Sequence, residues 1–253
     1  MNRAGWLLTL LAPLLAGPAD SATRVISLAP HTTEMVIAAG GEERLLAAVP
    51  ADQPLPPQTL AMSVVGGIDR EQTVALNPDL VVAWRSGNRP ADIAWLRDQG
   101  IPIFLSEPRE LEGIAADIRA IGRRLGTEQR AEMAARHFLA RLQTPCATLP
   151  EKEVYIEIWD RPAMSIGGAH WLNDALSRVR LRNTFEVLAL PVFAVDRESL
   201  LSKADLPRVR LRADSPLGSK QLGRPGPSLA AGIERLCAQR LQLMRKPGGG
   251  DSR

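Results

Sequence analysis

The segment Asp79-Leu80-Val81-Val82-Ala83-Trp84 constrains the fold of this chain more than any other. Beyond Asp79 it is apolar on both faces, so a strand here needs cover on both sides. Parallel sheets flanked by helices meet that need. The neighbouring sequence supplies the alternation. Arg24-Val25-Ile26-Ser27-Leu28 reads as a strand. Ala29-Pro30-His31-Thr32-Thr33-Glu34 then turns into a helix ended by Gly40-Gly41, with Thr32 or Thr33 as its cap. A second strand covers 45–49, and the proline-rich stretch 50–57 is a loop. Asp69 caps a helix led by Glu71, and Asn77-Pro78 closes it. A helix near 91–99 and a strand over 101–105 follow.

Two helical stripes come next. Leu111, Ile114, Ile118, Ile121 and Leu125 share one face. From Thr127, a second stripe of Ala131, Ala135, Phe138, Leu139 and Leu142 runs for about five turns to Thr144-Pro145. The pattern then restarts. Val154-Tyr155-Ile156-Glu157-Ile158-Trp159 reads as a strand ending in an aromatic, as the first did. A turn at Ile166-Gly167-Gly168, a helix over 171–179, a helix opened by Glu198, a strand over 208–211 and a final helix capped by Ser228 complete it. Asp69-Arg70-Glu71 and Asp196-Arg197-Glu198 open helices in corresponding places of the two halves. The expected fold class is therefore α/β: two lobes, 23–126 and 146–246, with parallel sheets flanked by helices. The helix over 127–145 is their rigid connector, and the glycine-rich 247–253 is a disordered tail.

Residues 1–22 read as a secretory signal peptide. Arg3 precedes an apolar run over 6–16 that is too short to span a bilayer, and small residues follow at Ala16, Ala19 and Ala22. The expected location is the periplasm. Export makes disulfides possible, and Cys146 and Cys237 form either one bridge or two separate thiols. From Pro207 to Arg253 there are ten lysines and arginines against three acidic residues. That stretch has no aromatic residue for base stacking, so it reads as solvated surface and no nucleic acid is expected.

Ligands of open α/β sheets sit beyond the carboxyl ends of the strands. Trp84 and Trp159 fall at such ends, with His31, Arg85 and Asp160 beside them. Tryptophan offers a flat apolar surface and one donor, suited to a broad planar ligand, although capping a core accounts for it equally well. His31, His137 and His170 are widely separated, and no metal-binding spacing appears. The sole tyrosine, Tyr155, lies inside a strand. There is no Gly-x-Ser-x-Gly elbow and no phosphate-cradling loop, so neither catalysis nor a cofactor is expected.

Arg24-Val25-Ile26-Ser27-Leu28-Ala29-Pro30, Thr33-Glu34, Ala75-Leu76-Asn77-Pro78-Asp79-Leu80-Val81 and Trp84 resemble periplasmic binding proteins with a helical backbone. Those serve ABC importers of cobalamin, haem, iron siderophores and some metals. Ala83-Trp84-Arg85-Ser86-Gly87-Asn88 and Trp159-Asp160-Arg161-Pro162 are most similar to the cobalamin binders. The resemblance implies a monomer holding a small-molecule ligand between two lobes. It also implies one glutamate on each lobe's apex that docks on arginines of the permease. Glu71 and Glu198 match those positions, where a helix-start acid is favourable on its own account. Asp214 matches an acidic ligand contact.

The departures matter as much. Ser63-Val64-Val65 stands where the resemblance leads one to expect a tryptophan, the 50–57 loop has no tyrosine, and after Leu206 the second lobe is about a strand and a helix short. The family pairs a cysteine near Val179 with one near Cys237, so under the resemblance Cys146 takes that role. Haem, a ferric siderophore, or a degenerate or enzymatic member without transport duty stay open as alternatives.

Overall fold

The computed structural model describes residues 21–212 and 216–245. Strand β1 (Val25–Ser27) leads into helix α1 (Pro30–Ala38), which starts one turn earlier than expected. Ala29 is the N-cap, and Pro30 takes the first helical position, where its missing N–H costs nothing. Thr32 therefore lies inside the first turn and accepts from the Ala29 amide at 3.0 Å. The Thr33 hydroxyl donates to the Val49 carbonyl at 2.8 Å, so neither threonine is the cap.

Strands β2 (Leu45–Ala48) and β3 (Leu60–Ala61), helix α2 (Arg70–Leu76), strand β4 (Leu80–Trp84), helix α3 (Pro90–Asp98) and strand β5 (Ile103–Ser106) complete the first half. The sheet runs β3-β2-β1-β4-β5 with every neighbour parallel. Leu80, Val81, Val82 and Ala83 are all buried, as a strand apolar on both faces requires. The strand order reverses between β1 and β4, which places a crevice beyond their carboxyl ends.

Helices α4 (Leu111–Leu125) and α5 (Glu128–Arg141) form a hairpin about Gly126, whose φ of 65° needs glycine. The whole stripe from Leu111 to Leu125 is buried. Helix α5 has about four turns, one fewer than expected, because Pro145 opens a separate 3-10 turn at Pro145–Thr148. Its ends reach both halves. Thr127 donates to the Ala39 carbonyl at 2.7 Å, Arg130 meets Glu42 at 2.5 Å, and Arg141 meets Glu234 at 2.7 Å. Helix α4 also crosses: the Leu111 amide donates to Asp174 at 2.9 Å and Glu112 pairs with Arg178 at 2.8 Å.

The second half holds β6 (Lys152–Glu157), β7 (Trp159–Asp160), β8 (Ala163–Ile166), α6 (Leu172–Ser177), β9 (Leu181–Asn183), β10 (Val192–Ala194), α7 (Arg197–Ser202), β11 (Arg208–Arg210) and α8 (Leu229–Arg245). Its parallel sheet, β11-β6-β9, has three short strands against five in the first half. A separate antiparallel sheet runs β10-β8-β7. The expected strand over 154–159 is thus two elements. Strand β6 stops at Glu157, and Trp159 begins a hairpin folded back through Arg161-Pro162, with the Ile158 amide bonded to the Met164 carbonyl at 3.0 Å.

The expected Ser228 cap is also corrected. The Ser228 hydroxyl is buried without a partner, while its amide donates to the Glu34 carboxylate at 3.0 Å. The start of α8 is therefore satisfied by an acid from the first half. Arg224 joins the same acid at 3.8 Å and Asp52 at 2.7 Å. Cys146 and Cys237 are bonded and tie the turn after α5 to α8 across 91 residues. One apolar core runs from Val25 and Leu80 through α4 and α5 to Val154, Leu176 and Leu236.

Candidate functional site: the cleft between the halves

A cavity of about 730 Å³ opens between the halves, within the usual range for small-molecule sites. The first half contributes Trp84, Ser86, Glu107 and Arg109, which follow β4 and β5 at the carboxyl edge of the sheet. The second contributes Gly168, His170, Trp171 and Val192.

Trp84 is set by the turn that follows it. Its amide donates to the Asn88 side-chain oxygen at 2.7 Å, and the Asn88 amide nitrogen donates to the Leu28 carbonyl at 2.8 Å. One buried asparagine thus stitches the ends of β1 and β4 where the strand order reverses. The indole lies against Gly87 so closely that a Cβ there would sit 1.8 Å from the ring. His31 meets Trp84 edge-on, with centroids 5.1 Å apart, and is buried. Burial, with a smaller contribution from nearby Arg224, lowers its pKa to about 4, so the ring is neutral. Ser86 grips Glu107 through its amide and its hydroxyl, both at 2.9 Å.

The opposite wall depends on Gly167 and Gly168. A Cβ on Gly168 would lie 2.1 Å from the Glu186 carbonyl oxygen, and one on Gly167 2.4 Å from that of Leu190. The loop over 186–191 packs directly on this pair, and the Gly168 amide donates to the Leu188 carbonyl at 2.7 Å. His170 and Trp171 follow, their rings 4.9 Å apart. Burial lowers the pKa of His170 to about 4 as well.

Of the residues expected to touch ligand, Trp84 lines the cavity. His31 lies beneath Trp84 and supports it, and Arg85 is exposed on the turn outside the wall. Trp159 and Asp160 sit on the β7–β8 hairpin, off the cavity wall. Trp159 is 59% exposed, and its indole nitrogen donates to the Arg161 carbonyl at 2.8 Å. Asp214 lies outside the described residues. The cavity's second tryptophan is Trp171, which sequence reading passed over; its signal was the aromatic pair His170-Trp171, one residue after Gly167-Gly168 at a helix start. Glu71 and Glu198 are both exposed. Each follows an aspartate that caps its helix in the same way: Asp69 accepts from the Gln72 amide at 2.9 Å and Asp196 from the Ser199 amide at 2.8 Å.

Residues 25–205 match the family described as periplasmic binding protein. The chain belongs to that family. Among relatives, the vitamin B12-binding protein of Vibrio cholerae strain O395 is 29% identical over 255 residues, covering 90% of this chain and 92% of the relative. The crystal structure of the periplasmic vitamin B12-binding protein BtuF of Vibrio cholerae superposes with a TM-score of 0.75 at 26% identity, covering 89% of this chain and 99% of that one. The periplasmic haem-binding protein RhuT from Roseiflexus sp. RS-1 superposes at 0.69 with 19% identity, covering 87% and 98%, which shows a shared fold. This periplasmic binding protein thus keeps the family's α/β architecture with a smaller parallel sheet in its second half.

Proposed function

We propose that the protein is exported to the periplasm, captures cobalamin or a related corrinoid between its halves, and delivers it to the permease of an ABC importer. The observation that carries this reading is a cleft beyond the carboxyl ends of β4 and β5 with an indole on each wall, Trp84 and Trp171, in a chain whose similar relatives are vitamin B12-binding proteins. Two flat apolar faces suit a broad ring. Haem is a poorer fit, since Tyr155 is buried within β6 and His31 is shut under Trp84. Neither reaches the cleft as an axial ligand, and His170, which does line it, accepts the Leu172 amide through Nδ1 and so carries its proton on Nε2.

The lobe boundaries, 23–126 and 146–246 with a link over 127–145, belong to the same proposal, as does cleavage of a signal peptide within 1–22. Glu71 and Glu198 are its docking residues: exposed, away from the cavity wall, and held at the mouths of matching capped helices. Charge-assisted pairing with arginine suits them. The test is calorimetry of the purified mature protein with cyanocobalamin, where a Kd of about 1 μM or tighter is expected. Silence at millimolar ligand removes the reading. Replacing Glu71 and Glu198 together by alanine abolishes uptake in cells and leaves that Kd unchanged; a weakened Kd instead means the two glutamates do not serve docking alone.

A further inference from the structure

We propose that His170 determines specificity in the cleft as a fixed hydrogen-bond donor, its Nε2–H meeting an amide carbonyl on the ligand's rim, and that it is not a metal ligand. The proposal deepens the corrinoid reading and rests on it. The backbone amide of Leu172 donates to Nδ1 of His170 at 3.1 Å. A ring nitrogen that accepts carries no proton, so the neutral imidazole holds its hydrogen on Nε2. Burial keeps the ring neutral down to about pH 4, so this state holds across the periplasmic range.

The turn around the ring is fixed as well. Asn173 donates from its side chain to the carbonyls of Gly167 at 2.7 Å and His170 at 3.1 Å, and the Trp171 ring lies against the imidazole. Among the described residues, Nε2 has no hydrogen-bond partner, and His170 lines the cavity. A donor facing a cavity selects for acceptors, because a ligand lacking one leaves the N–H unpaired when water is expelled. Primary amides fringe a corrinoid ring and supply such acceptors. Metal coordination needs a lone pair, and Nε2 has none unless the Leu172 bond is broken and the proton moved.

The test compares wild type with His170→Gln, whose amide nitrogen can donate from a similar reach, and His170→Phe, which keeps a ring and removes the donor. Far-UV circular dichroism verifies that both variants fold. With cyanocobalamin, His170→Phe is expected to weaken Kd by about five- to tenfold and His170→Gln by about threefold or less. Diaquocobinamide, whose cobalt is open to ligands, should show the same absorption spectrum on wild type and His170→Phe. Nitrogen-15 spectra of the free protein should show His170 protonated on Nε2. Equal affinity of wild type and His170→Phe overturns the proposal. So does a cobinamide shift present in wild type and lost in His170→Phe, or a ring protonated on Nδ1. If wild type binds no cobalamin, the corrinoid reading falls by itself, while the ring spectra of the free protein still decide whether His170 is a donor.

Discussion

Trp84 owes its place to two neighbours that carry no side-chain chemistry of their own toward a ligand. Gly87 leaves room for the indole, and Asn88 pins the strand end from which it projects. The Gly87→Ala variant is expected to push the half-exposed indole into the cleft. Cobalamin affinity should then fall about tenfold or more, while stability changes by no more than about 1 kcal/mol, since a half-exposed ring can swing aside. Titration calorimetry beside urea unfolding checks both, and unchanged affinity would show that Trp84 does not touch the ligand. His31 carries a different consequence. Its folded pKa of about 4 lies below the ordinary 6.5, so as pH falls the unfolded chain takes up the proton first. Its contribution to stability is complete above pH 6.5 and is lost between 6.5 and about 4, at up to about 1.4 kcal/mol per pH unit. His170 acts in the same direction over the same window. The His31→Phe variant, which leaves no nitrogen to protonate, should flatten the pH dependence of the urea midpoint there; an unchanged slope would refute this origin.

Among the elements, the paired glycines before α6 decide the shape of the second wall. Sequence reading took Ile166-Gly167-Gly168 as a turn and found no further use for it. Both glycines are required because backbone carbonyls of the 186–191 loop come closer than any Cβ permits. A carbonyl held by its own chain cannot yield as a flexible side chain would. Gly168→Ala is therefore expected to cost about 1–3 kcal/mol and to displace Pro191 and Val192 from the cavity wall. Thermal unfolding and cobalamin titration read the two effects, and a neutral result in both would mean the loop repacks freely. The repeated Asp-Arg-Glu shows the opposite case, since both aspartates cap locally and were legible from type and position alone. The β7–β8 hairpin was not legible. Two-residue strands carry no periodicity, and Trp159 looked like the last residue of the strand before it.

At the scale of the molecule, the halves do not behave as beads on a linker. A single core threads both, the α4–α5 hairpin touches both with each helix, and Glu34 and Asp52 hold Arg224 and the start of α8. The disulfide adds a link between residues 146 and 237. Removing it by Cys146→Ser with Cys237→Ser is expected to cost about 2–4 kcal/mol, because it closes a long loop of the unfolded chain. Unfolding should remain one cooperative transition with the bridge present or absent. Two resolved transitions in calorimetry would show instead that each half has a core of its own. These ties also limit how far the cleft can close, which suits the docking proposed for Glu71 and Glu198 at one fixed spacing.

The chain's local chemistry determined the alternation of strands and helices, the doubly apolar β4, the α4 stripe, the aspartate caps and the placing of a cavity beyond the strand ends. Each depends on neighbours within a few residues, so pattern and residue type suffice. Tertiary structure alone decided that Trp171 rather than Trp159 shares the cavity with Trp84, that His31 is a buried prop, that the Glu34 carboxylate holds the start of α8, and that Cys146 reaches Cys237. Those outcomes turn on distances between segments up to 194 residues apart. A distance of that kind is set by how the whole core packs, and no local periodicity encodes it.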